Sequence, residues 1–223
     1  GGEQWARYSF VGTRPVGAWK LQGGEVSWWT PEQGWKKVDT DDPLEDLNTR
    51  LRERVPAEIE GLPRFWGGAV GYFGYDVVRE IETLPSPAAD DLELPDGLFL
   101  FTNVVLAIDN LLGRAMAIVA VPVDGLHQDE LRAGYDDAVA ATNDLIHRLK
   151  SQPSPPPLQM AAEPKTDPPF DSSTTQLEFE ESVEKIRDYI RAGDAFQVVL
   201  SQRLGIDLQA SPFDLYRGLR TLN

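Results

Sequence analysis

Near its start the chain alternates apolar and polar residues in short runs. Positions 7–12, 18–21, 26–30 and 35–38 are rich in aromatic and β-branched residues, and Gly23-Gly24 and Pro31-Glu-Gln-Gly34 part the later ones. Short runs separated by turn residues predict an antiparallel meander. The period then lengthens: Leu44, Leu47, Leu51 and Val55 fall on one helical face, with Asp41 or Asp42 as cap and Pro43 in the first turn. Arg50, Arg52 and Arg54 lie at the negative end of that helix dipole and are read as solvated charges rather than ligands.

Positions 98–109 and 114–123 predict two long strands joined through Asn110-Leu-Leu-Gly113. Tyr135, Ala138, Val139, Thr142, Leu145, Ile146 and Leu149 return to helical spacing. The stretch 151–170 holds seven of the 17 prolines, which suit neither a helix interior nor a central strand, so it reads as a linker. Beyond it, Thr175 and Glu178 form a capping box before the apolar stripe Phe179, Val183, Ile186 and Ile190, and Gly193 closes that helix. A strand is expected over 195–208. Its alternation sends Phe196, Val198, Leu200, Gln202, Leu204, Ile206 and Leu208 one way and Gln197, Val199, Ser201 and Arg203 the other. A last helical pattern, Phe213, Tyr216, Leu219 and Arg220, is still running at Asn223, and the first residue is Gly; the chain is therefore read as a fragment cut at both ends. Hairpin-type turns between strands, with helices between groups of strands, predict an α+β fold of antiparallel sheets flanked by helices. The expected division is 1–150, a linker over 151–171, and 172–223.

Composition narrows the chemistry. The 223 residues contain no cysteine and two histidines, His127 and His147, which excludes disulfide frameworks, zinc-thiolate sites and histidine-rich metal centres. Both histidines are expected on polar surface, without a catalytic partner. A net charge of −15 with no basic stripe argues against nucleic acid as a partner. The densest apolar stretch, 115–123, is about half of what a membrane-spanning helix needs. No cationic, apolar leader is evident, and a soluble cytoplasmic protein is expected.

Common catalytic signatures are missing: the sequence has no Gly-x-Ser-x-Gly, no phosphate loop ending in Gly-Lys-Ser/Thr and no His-Glu-x-x-His. Gly67-Gly-Ala-Val-Gly71 lies among Phe65, Trp66, Tyr72, Phe73 and Tyr75, where glycine serves close backbone packing rather than nucleotide binding. The polar side of the 195–208 run offers more. Gln197, Ser201 and Arg203 fit a sheet face lining a cleft for an anionic ligand, because a guanidinium gives a carboxylate two parallel hydrogen bonds. The alternative is a solvated face, or pairing of Arg203 with Asp194 or Asp207.

Three segments carry a family resemblance. Arg191-Ala-Gly-Asp-Ala-Phe-Gln-Val-Val-Leu-Ser-Gln-Arg203 resembles the start of the chorismate-binding domain in anthranilate synthase large subunits. Arg7-Tyr-Ser-Phe-Val-Gly12 and Gly67-Gly-Ala-Val-Gly-Tyr-Phe-Gly-Tyr-Asp76 resemble two further motifs of those chorismate-utilising enzymes, in the same order. The resemblance implies a protein that converts chorismate to anthranilate with Mg²⁺ and with ammonia from a glutaminase small subunit, under feedback inhibition by tryptophan. It implies that residues 1–150 are regulatory and that 172–223 open the chorismate-binding domain. The Mg²⁺-binding glutamates and the general acid would lie beyond Asn223, leaving this fragment metal-free and inactive alone.

Arg7 falls near a basic position of the family's tryptophan site; the alternative is an arginine paired with a carboxylate. Asn223 resembles the first residue of the family's Asn-Pro-Ser-Pro-Tyr-Met motif, and a Leu-Leu-Glu-Ser motif would precede Gly1. Gln197 stands where enzymes that add water to chorismate place a lysine, and so implies amination. Ser201 and Arg203 would contact substrate. Aminodeoxychorismate synthase large subunits tend to have Gln-Val-Asn-Leu where this chain has Gln197-Val-Val-Leu200, and Val199 favours anthranilate synthase. A non-catalytic amino-acid sensor or glutaminase-docking module is the remaining alternative.

Overall fold

A computed structural model describes residues 7–85, 89–151, 153–158 and 168–222. The chain forms two compact units, Gly1–Gln152 and Pro153–Asn223. In the first, strands β2 (Gly17–Gln22), β3 (Glu25–Thr30) and β4 (Gly34–Lys37) make the expected meander. With β5 (Gly68–Phe73) and β6 (Gly97–Thr102) they build a five-stranded antiparallel sheet in the order β4-β3-β2-β6-β5. The first strand, β1 (Tyr8–Thr13), does not belong to the meander. It pairs with β7 (Val104–Asp109), which also pairs with β8 (Arg114–Val119), in a second antiparallel sheet.

The expected single strand over 98–109 is thus two strands in two sheets, broken at Asn103. Thr102 makes the break possible. Its buried hydroxyl lies 3.1 Å from the carbonyls of both Thr13 and Val104 and accepts from the Val104 N–H, while Ala120 N–H donates to the Asn103 carbonyl. The polar groups released where the chain leaves one ladder are therefore satisfied within the bend.

Trp19, Leu21, Val26, Leu47 and Phe101 form the core between the five-stranded sheet and helix α1 (Pro43–Arg52). Each large apolar side chain buried there contributes roughly 1.5–3 kcal/mol. Asp42 caps α1 by accepting from Glu45 N–H, and Pro43 occupies its first turn. Asp46 fixes the helix to the sheet: it accepts from the Trp19 indole N–H at 2.9 Å and from Arg50 Nε at 2.8 Å. Val55 lies past the helix end and is exposed, so it does not share the Leu47 face. The arginines also depart from expectation. Arg52 is solvated, but the Arg50 guanidinium lies 4.3 Å from the Trp28 ring centre and that of Arg54 5.3 Å from Phe101. Aromatic faces attract such cations, so these two help to cover the core rim.

Helix α2 (Gln128–Ser151) packs on β8, and a Cβ on Gly134 would stand 3.1 Å from Val121, just beyond that strand. His147 is exposed on its outer side, and His127, also exposed, donates its backbone N–H to Glu130 at the start of the helix. In the second unit, helix α3 (Gln176–Ala192) has the expected capping box of Thr175 and Glu178 and ends on Gly193 with φ +86°. The short strands β9 (Asp171–Ser172) and β10 (Leu204–Gly205) pair, and helix α4 spans Pro212–Leu222. No helix among the described residues is long and apolar enough to cross a membrane.

Arg7 closes the second sheet at its far end. It donates from Nε (3.2 Å) and Nη2 (2.8 Å) to Asp109, whose carboxylate is fully enclosed and also accepts from the N–H groups of Leu111 and Leu112. The Arg7 hydrogen bonds, helped by those backbone donors against the cost of burial, hold the Asp109 carboxyl down to about 2 from 3.8. A carboxyl depressed on folding contributes stability above its unfolded value and loses it as pH falls through the folded one.

Two measurements test these contacts. In urea titrations Asp109→Asn should be less stable than the parent at pH 7, and the gap should close as pH falls from about 3.8 to about 2; a gap independent of pH contradicts the pairing. A Cβ on Gly71 would meet the Leu98 carbonyl oxygen at 2.0 Å. Gly71→Ala should therefore cost at least about 2 kcal/mol, whereas Gly218→Ala, in open space on α4, should raise helicity.

Candidate functional site

The residues with proposed chemistry fall in both units. In the second, Gly193 ends α3 and the chain runs through 195–203 before pairing again at β10. The expected strand over 195–208 is present only as Leu204–Gly205. Alternation alone cannot form a strand, because each backbone N–H and C=O needs a partner across a ladder. Among the described residues only β9 supplies one. Nor does this segment bury its apolar side: Phe196 is 94% and Val198 43% exposed. Gln197 and Ser201 are exposed as well.

The far end of the segment is held. Arg203 donates its backbone N–H to Ser173 Oγ at 3.1 Å and accepts from Ser173 N–H at 2.9 Å, while Gln202 Nε2 donates to Ser172 Oγ at 2.8 Å. The hydroxyl-rich turn 172–175 thereby joins the motif to the start of α3. Thr175 donates its backbone N–H and its hydroxyl to Glu178, which lowers the Glu178 carboxyl. The Thr174 hydroxyl in this turn is buried without a partner among the described residues. Sequence reasoning missed these serine contacts. Their only signal was the run Ser172-Ser-Thr-Thr175, which reads equally well as a plain turn.

In the first unit, Arg7 is bound to Asp109 and its guanidinium lies 4.9 Å from the Tyr8 ring centre. Asp109 is the partner that the sequence did not identify, 102 residues away. Asn223 lies outside the described residues. Glu80 is pushed upward, first by burial and then by the facing charges of Asp96 and Asp42. The described residues contain no group of three or more His, Cys, Asp or Glu side chains able to hold a metal ion. Gly71 has the close-packing role expected of this glycine run: β5 lies against β6 at a distance that excludes a Cβ there.

Comparison with known proteins gives these placements a family context. Residues 2–223 match the family described as chorismate binding enzyme. All of the chain aligns with 45% of anthranilate synthase component 1 of Pseudomonas putida, at 39% identity over 228 residues. It also aligns with 43% of the Mycobacterium tuberculosis protein of that name, at 37% identity over 227 residues. Among solved structures, anthranilate synthase component I from Streptococcus pneumoniae superposes with a TM-score of 0.76 and 28% identity, covering 98% of this chain and 46% of that one. The chain therefore spans a little under half the length of the relatives it matches. With the family matched over nearly its whole length, and the α+β architecture of antiparallel sheets shared with a solved relative, this chain belongs to the chorismate-binding enzymes.

Proposed function

We propose that the chain acts as part of an anthranilate synthase large subunit, a lyase that converts chorismate and ammonia to anthranilate, pyruvate and water in cytoplasmic tryptophan biosynthesis. The support is the neutral amide of Gln197 within the segment that resembles the chorismate-binding strand, together with relatives that bear this name. Water needs a base to become a nucleophile, and a desolvated lysine amine supplies one. Ammonia already has its lone pair. At that position a glutamine can orient ammonia by hydrogen bonding without removing a proton, and Ser201 and Arg203 would bind the ring hydroxyl and a carboxylate.

On this reading residues 1–150 are the regulatory domain, 151–171 the linker and 172–223 the opening of the chorismate-binding domain. Ammonia comes from a glutaminase small subunit, and tryptophan inhibits at a site to which Arg7 and Asn223 contribute. For Arg7 this means sharing its guanidinium with Asp109, whose claim on two of its nitrogens is already established. Mg²⁺ belongs to the complete enzyme. The described residues contain no group of three or more His, Cys, Asp or Glu side chains that could hold it. These 223 residues are expected to bind ligand without turnover.

Val199 favours this enzyme over an aminodeoxychorismate synthase, which would keep the enolpyruvyl group. In a complete enzyme carrying this segment, Gln197→Lys should lower fluorescent anthranilate formation by about 10²-fold and raise hydroxylated product; an unchanged product ratio would refute the role of the amide. Calorimetry on the 223-residue chain separates the remaining alternatives. Heat with tryptophan but not chorismate fits a sensor, and heat with chorismate requires that the 195–203 segment engage substrate.

A further inference from the structure

The ladder between β9 and β10 is two residues long, pairing Leu204 with Ser172 and Gly205 with Asp171. One further step of the same antiparallel register sets Arg203 opposite Ser173. A facing pair of that type exchanges two backbone hydrogen bonds. Half of the exchange is present, since the Ser173 N–H donates to the Arg203 carbonyl at 2.9 Å. The other half is made by a side chain: the Arg203 N–H donates to Ser173 Oγ at 3.1 Å. The reason lies just beyond, where Thr175 caps α3 and the chain must leave the ladder to enter the helix. The serine hydroxyl stands in for the carbonyl that the turn has carried away.

Ser172 holds the neighbouring residue. Its hydroxyl donates to the Thr174 carbonyl at 2.6 Å, which leaves a lone pair for the Gln202 side-chain N–H at 2.8 Å. Gln202 is the polar member of the otherwise apolar series Phe196, Val198 and Leu200, and this bond accounts for it. The two hydroxyls thus carry the pairing past the end of the ladder. They also fix its register: a slip of one residue would exchange the places of Gln202 and Arg203, because neighbours in extended chain face opposite ways. Both bonds are exposed to water, which can replace a lost partner, so they add little to stability. Register is what they contribute.

We propose that Ser173 and Ser172 are positioning residues for Arg203, aiming its guanidinium at a substrate carboxylate by locking the register in which Leu200-Ser-Gln-Arg203 meets β10. This rests on the reading of the chain as part of a chorismate-converting enzyme in which Arg203 binds a carboxylate. A guanidinium grips a carboxylate through two parallel hydrogen bonds, so a small displacement weakens the contact. No bond of that carboxylate is made or broken. The contact is therefore shared by ground and transition states, and its loss raises KM while leaving kcat.

The test uses the complete enzyme carrying this chain, with chorismate and ammonium chloride as substrates. Ser173→Ala should raise KM for chorismate at least about fivefold with kcat within about twofold, and Ser173→Thr, which keeps the hydroxyl, should restore it. A merely structural loss would instead lower the active fraction, and so kcat, at unchanged KM. An unchanged KM in Ser173→Ala overturns the proposal and leaves the functional reading standing; a parent enzyme that forms no anthranilate overturns both. Should Ser173→Ala fail to fold, Ser172→Ala, which releases Gln202, must show the same rise in KM, and a normal KM there refutes the role. Amide exchange read by NMR on the 223-residue chain checks the contact itself. Arg203 N–H should exchange faster in Ser173→Ala while Glu178 N–H, held by Thr175, is unchanged; equal exchange at Arg203 overturns the proposal.

Discussion

The first unit depends on one run of chain serving two sheets. From Gly97 to Thr102 it pairs with β2 and β5, and from Val104 to Asp109 with β1 and β8. Six strands therefore take their register, directly or through β2, from the position of a single bend. A slip of one residue would move Phe101 out of the core and turn every neighbouring side chain to the wrong face. Thr102 fixes the bend with one hydroxyl, and Arg7 fixes the far end through Asp109. Thr102 and Asp109 are buried polar groups, where an unmet hydrogen bond is costly, so each favours the one arrangement that satisfies it.

What could be read from the sequence follows the range of the interactions involved. Asp42 with Pro43, the Thr175 and Glu178 box and Gly193 act within one helical turn, and all are found where expected. The β2 to β4 meander depends on turns a few residues long and was equally legible. Non-local choices were not. Nothing in Arg7-Tyr-Ser-Phe-Val-Gly12 says that its partner lies near position 109, and no glycine or proline marks the change of sheet at Asn103. Arg50 and Arg54 show the same limit: a dipole argument places them at a helix end, but the rings of Trp28 and Phe101 come from other elements.

The candidate site divides along the same line. Residue types in 195–203 were legible, since Gln197, Ser201 and Arg203 stand in a recognisable motif. Their geometry was not, because a strand is a property of a pair. Leu204 and Gly205 are ordered as strand because Asp171 and Ser172 lie opposite; residues 195–201 have the pattern, but among the described residues no strand pairs with them. Sequence therefore singles out candidate side chains without showing what holds them.

This separation bears on how a neutral amide could select a nucleophile. Fixing a residue's backbone costs roughly 1–2 kcal/mol, and a segment such as 195–201 must meet that cost before Gln197 has one orientation. Among the described residues it is held at its two ends, Arg203 through Ser173 and Asp194 through the Tyr189 carbonyl. A substrate anion alone would supply little of the ordering free energy, given the charge of −15 that a local arginine must overcome. A neighbouring strand would supply it through ladder hydrogen bonds and through burial of Phe196 and Val198, which are exposed here. On the proposed reading, then, completing the sheet comes before choosing ammonia over water: the amide discriminates only once its own strand has been built.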